Sequence, residues 1–358
     1  MNAKLVEEVA NAVLYEGYML YPYRPSSVKN RQRWNFGVVY PRAYSETQNG
    51  ADNWFMQTEC LVTARASAEL RIKVRFLQAV ARTIGKLNVP LDEMSLSEIG
   101  HELEYETVDS LNVGDKTLQS WQEAIEREIE FEPLGIYDQD AADRSLTIDF
   151  CGGREVEPVR DPFGRVAALI LRTKVPISAR VKVAVASIEG GLFKISVRIL
   201  NVTQTAIPYG ASRDEALMQS LLSAHTILSI EGGEFVSAID PPESLQQKCA
   251  ECTNIGTWPV LAGEEGQRGC MLSSPIILYD YPQIAPESPG ALFDGTEIDE
   301  ILALRILTLT DDEKREMRSA DDRSREILER TEAMPMEHFM KLHGVLRGLH
   351  PADEEEKQ

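Results

Sequence analysis

Three short segments alternate apolar and polar residues strictly, and this period of two constrains the chain more than any other feature of it. In residues 70–76, Leu70, Ile72, Val74 and Phe76 are separated by Arg71, Lys73 and Arg75. Residues 193–199 set Phe193, Ile195, Val197 and Ile199 around Lys194, Ser196 and Arg198, and residues 180–186 alternate in the same way. Successive side chains of a strand point to opposite faces, so each segment reads as a strand with one dry face and one wet face. Glu189-Gly190-Gly191, between 180–186 and 193–199, supplies the turn of a β-hairpin. Residues 146–150 and 166–171 add strands, and the aromatic-rich segments 13–23 and 34–40 read as an N-terminal strand pair. The expected fold is α+β: a β-rich, sandwich-like antiparallel core with a few helices, mainly C-terminal. Leu70, Ile72, Val74, Phe76, Phe193, Ile195 and Val197 should face one core, with the interleaved cations turned outward.

Helices announce themselves by their starts. Ser212 with Glu215, and Thr310 with Glu313, have the spacing of capping boxes. After the first, Leu217, Leu221, Leu222 and Leu228 recur at helical intervals, which places His225 on a helix. After the second, acids and bases three or four apart continue from Lys314 to Glu332, Met334-Pro335 stops the helix, and 336–349 reads as another.

Charge falls in blocks. The net charge is −20, yet residues 1–90 and 144–229 are weakly basic, at +5 and +4. Residues 91–143 and 230–310 are acidic, at −14 and −10. The expectation is a strand scaffold decorated by acidic segments. It divides into a β-rich core over 1–230 with an acidic insertion at 91–143, a proline-rich strap with C-terminal helices over 231–350, and an acidic tail at 351–358. Duplex phosphates would be repelled by such a surface, so nucleic acid is not an expected partner. No apolar run approaches the roughly 20 residues that a membrane span needs. With Glu7 and Glu8 following a single early lysine, the N-terminus lacks the order of a secretory signal, and five cysteines cannot all pair. A soluble, cytoplasmic protein is expected.

Chemistry is sparse. Cys249-Ala-Glu-Cys252, with Cys270 eighteen residues on, has the spacing of thiolates that share a tetrahedral metal. No second pair or nearby histidine completes a zinc site, so ordinary semi-buried thiols and a redox pair compete with that reading. Ser26-Ser-Val-Lys29 matches S-x-x-K without its companion motifs, and His338 and His343 are five apart, which puts them on different helix faces. Neither a dinucleotide fingerprint nor a phosphate-binding loop occurs, and no cofactor other than zinc is implied. The segment 274–290 carries prolines at 275, 282, 286 and 289 among Ile276, Ile277, Leu278, Tyr279, Tyr281 and Ile284. Prolines preset an extended backbone, so the segment reads either as a strap closing the core or as a docking surface anchored by Tyr279, Tyr281 and Ile284. The Tyr21-Pro-Tyr-Arg24 loop with Lys29, Arg31 and Arg33 is a cationic cluster able to meet an acidic block.

The strings VLYEGYMLYPYR at 13–24, RWNFG at 33–37, GTWP at 256–259, the strap, and LTLTDDEK at 307–314 resemble an uncharacterised bacterial family associated with nickel-iron hydrogenase gene clusters. The similarity spans nearly the whole chain and carries over no catalytic residue. It implies a non-enzymatic accessory protein that binds a hydrogenase subunit or a maturation factor during assembly. The alternatives are a metal-binding or thiol-redox protein centred on Cys249, Cys252 and Cys270, and a component of the mature hydrogenase complex.

Overall fold

The structure, a computed structural model, describes residues 3–18, 34–48, 52–91, 104–138, 143–204, 211–284, 299–320 and 322–335. The chain opens with helices α1 (Ala3–Tyr15) and α2 (Arg42–Thr47) and then enters a 37-residue strand, β1 (Phe55–Leu91). Short strands follow: β2 (Tyr105–Val108), β3 (Ser110–Val113), β4 (Lys116–Gln119), β5 (Trp121–Glu130) and β6 (Leu134–Gly135). Next come β7 (Arg144–Phe150), β8 (Gly153–Arg160), β9 (Val166–Lys174), β10 (Ile177–Glu189) and β11 (Leu192–Asn201). Helix α3 (Arg213–Leu217) leads into β12 (Leu222–Phe235), and α4 (Gln246–Ala250) precedes β13 (Trp258–Leu261) and β14 (Cys270–Ser274). Three helices close the described chain: α5 (Asp299–Leu307), α6 (Asp311–Ala320) and α7 (Asp322–Glu332). Among the described residues no helix is long and apolar enough to cross a membrane.

Among the described residues twelve strands form one antiparallel sheet with β1 as its spine, and β3 and β4 form a separate ribbon. At about 3.3 Å per residue a straight β1 would reach roughly 120 Å. A compact chain of this length is only roughly 50 Å across, so the strand must bend. It does so where its register shifts, against β12 between Ala64 and Glu69 and between Arg75 and Leu77, and against β9 between Lys86 and Leu91. One edge of β1 is lined in turn by β11, β6, β5 and β2, and the other by β12 and β9. The rolled sheet brings Phe76 of β1 onto Phe150 of β7, ring centroids 5.4 Å apart. Leu70, Ile72, Val74, Phe76, Phe193, Ile195 and Val197 all lie in the core enclosed by that roll. The β10–β11 hairpin turns through Gly190 and Gly191, both at positive φ, as the Glu-Gly-Gly signal predicts.

Five readings meet a different arrangement in the structure. Residues 13–15 are helical, not strand, and from 34 to 40 a single bridge, Val39 to Leu221, is formed. Val6, Val9, Ala10 and Val13 give α1 an apolar stripe that packs on Ile227, Val260 and Leu272, and burying it outweighs the β propensity of the neighbouring aromatics. The helix after Ser212 has its capping box but only five residues; Leu222, His225 and Leu228 belong to β12, whose backbone is paired on both edges by β1 and β14. The acidic block is woven into the sheet: Trp121–Glu130 pairs with β1 over ten residues. Glu128 and Glu130 lie opposite Arg75 and Lys73 of β1, so cross-strand attraction supports the pairing. Strand β12 also runs through residue 230, so the sheet continues across the boundary expected there. Finally, the cations of 70–76 are not uniformly outward, because helices cover that face and Arg75 is buried. The helix expected at 336–349, the tail at 351–358, the cluster around Arg24 and the strap beyond 284 lie outside the described residues.

Candidate functional site

The structure keeps Cys249 and Cys252 together and places Cys270 apart. Cys249 lies in the last turn of α4 and Cys252 two residues beyond it, half-buried against Leu61, Leu192 and Val236. Cys249 Sγ is 4.0 Å from the Ser237 carbonyl oxygen and Cys252 Sγ 3.7 Å from that of Lys248. Cys270 sits in β14 beneath α1, packed with Val6, Val9 and Val260 in a different cluster. Burial pushes the thiol of Cys249 up, and those of Cys252 and Cys270 each up to about 11. Among the described residues no cluster of three or more His, Cys, Asp or Glu side chains is placed to hold a metal ion. Among the described residues Cys270 thus lies in a different cluster from Cys249 and Cys252.

The strap divides its residues between two roles. Asp280 pins it: one carboxylate oxygen accepts from the Leu261 amide at 2.8 Å, the other from the Ser237 hydroxyl at 2.5 Å. Tyr281 donates its amide to the Leu261 carbonyl at 2.7 Å. In extended chain alternate residues face alternate sides. Leu278 and Asp280 accordingly turn inward, and Ile277 and Tyr279 outward, 73% and 85% exposed. At Tyr281 the backbone takes φ +57°, which breaks the alternation and sends the ring against the main core. Of the anchors expected, Tyr279 and Ile284 are thus exposed and Tyr281 is half-buried, a plug of the core.

A charged seam between the helices and β1 escaped the sequence reading. Arg75 bonds Glu7 of α1 at 3.4 Å and Glu126 of β5 at 3.2 Å, and Lys73 bridges Glu7 and Glu128, each at 3.3 Å. The Tyr15 hydroxyl donates to Glu126 at 2.5 Å, and Arg323 of α7 meets both. Burial opposes ionisation of Glu126, but the Tyr15 hydrogen bond and the charges of Arg75 and Arg323 outweigh it and hold the carboxyl below its usual range. Opposite Arg75 in the register, His225 is fully buried, with Nδ1 3.1 Å from the Ser223 carbonyl oxygen. The only trace of this seam in the sequence is the opposite sign of two alternating strands, 71–75 and 126–130, and nothing local says that a helix covers it. Compared with models of known families and with curated proteins, the chain matches none.

Proposed function

We propose that this chain is a non-enzymatic, cytoplasmic accessory protein that docks a partner polypeptide on the outer side of its strap. The partner that the family resemblance implies is a nickel-iron hydrogenase subunit or maturation factor. One observation carries the binding reading: Ile277 and Tyr279 project into solvent from a segment whose intervening residues are fastened by Asp280 and Leu278. An anchor presented on a fixed backbone loses little conformational entropy when it is covered, and exposed aromatics dominate interface energetics.

The test is capture of partners from native cells on the tagged protein, with identification of what binds. A hydrogenase subunit or maturation factor is expected with the native chain. Tyr279→Ala should weaken that binding by about thirtyfold, the scale of a 2 kcal/mol anchor, with an unchanged melting temperature. Tyr281→Ala is not an equivalent probe, since its ring belongs to the core. Stoichiometric copurification of hydrogenase subunits through every step would instead indicate a component of the mature complex. Full binding by Tyr279→Ala would remove the strap from the interface.

A further inference from the structure

A cleft lies between the α6–α7 pair and the distal part of the sheet, with a volume of about 1160 Å³. Its charge contradicts that of the chain. Eight cationic side chains line it against four carboxylates, Asp115, Glu123, Glu157 and Asp322, in a protein of net charge −20. The arrangement follows from how the two helices lie. Met317, Ala320, Ile327 and Leu328 are buried, which rolls Arg315, Arg318, Arg323 and Arg325 to the cleft.

The floor and the rim differ. On the floor, Arg82 is 5% exposed and is held by Glu123 at 3.5 Å and by the Ala320 carbonyl at the C-terminal end of α6. Arg172 is clamped between Glu123 and Glu157, 2.7 Å from each. These guanidinium groups are fixed and their charge is matched. On the rim, Arg315 and Arg325 pair with Asp312 and Asp322, whose side chains are 80% and 84% exposed, and Arg318 reaches out to Glu332. Pairs so exposed are weak and can be exchanged for a better anion. Among the described residues Lys116 has no ion-pair partner. The cleft also has an apolar wall in Leu118, Val159 and Ile170.

We infer that this cleft binds a small organic polyphosphate, its adjacent phosphates taken by the rim cations Lys116, Arg315, Arg318 and Arg325 and its organic body laid against Leu118, Val159 and Ile170. The planar guanidinium fork matches phosphate oxygens two at a time, and several forks lining one cleft select clustered phosphates over a single charge. A cleft of about this size suits a small molecule rather than an extended polymer track.

The test titrates the full chain calorimetrically at roughly 0.1 M ionic strength, where screening acts over about 10 Å. The probes are inorganic triphosphate, inorganic phosphate and hexaglutamate. Triphosphate should bind with micromolar affinity, at least about tenfold tighter than phosphate, as expected for two or more charge-assisted contacts. The double variant Arg315→Gln/Arg318→Gln changes exposed side chains and should fold normally by melting temperature. It should weaken triphosphate about tenfold or more, while Arg71→Gln, a half-exposed arginine outside the cleft, should leave the affinity unchanged. Three results would each overturn the inference: no triphosphate binding at 1 mM, as an order-of-magnitude ceiling, equal affinity of the double variant, or tighter binding of hexaglutamate, which would assign the cleft to acidic peptide.

Discussion

At Nε2, His225 has no hydrogen-bond partner among the described residues, while Nδ1 approaches the Ser223 carbonyl. The geometry fixes the neutral tautomer with the proton on Nδ1. Burial pushes its pKa down to about 4, the Ser223 carbonyl opposes that shift, and the positive charge of Arg75 adds to it. An unfolded histidine takes up its proton near 6.5, so below that pH the unfolded state binds more protons than the folded one. Stability should therefore be full above about pH 6.5 and fall on acidification toward pH 4, by up to about 3 kcal/mol. Urea midpoints at pH 7.5, 6 and 5 test this, and a His225→Leu variant should lose most of that slope. The four other histidines, His101, His338, His343 and His350, are left in place in that comparison. An unchanged slope in the variant would assign the acid sensitivity to groups other than His225.

Arg75 is the second residue whose surroundings decide its role. Its side chain is 7% exposed, and its partners Glu7, Glu126 and Glu128 are 44–48% exposed, so removing it leaves carboxylates that water can still reach. Arg75→Ala should cost about 2–3 kcal/mol, less than the 3–5 of a wholly buried pair. Arg75→Met keeps the packing and should cost about 1 kcal/mol or less. Equal losses in chemical denaturation of the two variants would show that the charge, not the packing, carries the stability.

At the scale of elements, local signals that need no partner were legible. Thr310 and Glu313 form the reciprocal cap expected of them: the Thr310 amide donates to the Glu313 carboxylate at 2.8 Å, and the Glu313 amide donates to the Thr310 hydroxyl at 3.3 Å. Thr310→Ala should cost about 1 kcal/mol, read as a shift in urea midpoint, and Thr310→Ser close to nothing. The charged stretch that follows is two helices rather than one, folded back so that Lys314 and Arg318 of α6 both reach Glu332 of α7. Helix α1 carried a readable signal in its apolar positions 6, 9, 10, 13 and 14, which recur at helical spacing and were masked by the aromatics after them. The leucines after Ser212 misled for the opposite reason. Spacings of four and seven fit a helix, but a strand paired on both edges buries leucines on both of its faces, so its periodicity is lost.

For the whole molecule, β1 is the determining element. From Glu69 to Lys86 it is paired along both edges for most of its length, and both the rolled core and the helix-covered face are built on it. Opening either part strips partners from the same strand. Native-state hydrogen exchange should therefore find the amides of this stretch exchanging only with global unfolding, while those of α4 and of the β3–β4 ribbon open at lower free energy. Separate melting of the proximal and distal parts of β1 would contradict this.

The sequence by itself determined the strand-rich antiparallel character, the residues of the main core, the hairpin at Gly190 and Gly191 and the two helix caps, because each depends on neighbours two to four positions apart. The tertiary structure alone decided which wet face is covered, which thiols meet and which tyrosine of the strap turns inward. Arg71 and Arg75 obey the same alternation, yet one is half-exposed and the other buried, because α1 lies over only one of them. Cys270 obeys the spacing of a metal ligand, yet its strand pairs with β12 and carries it beneath α1. Periodicity says that a side chain has a face. What that face meets depends on elements dozens to hundreds of residues away, whose docking is set by the total area they bury and not by any local pattern.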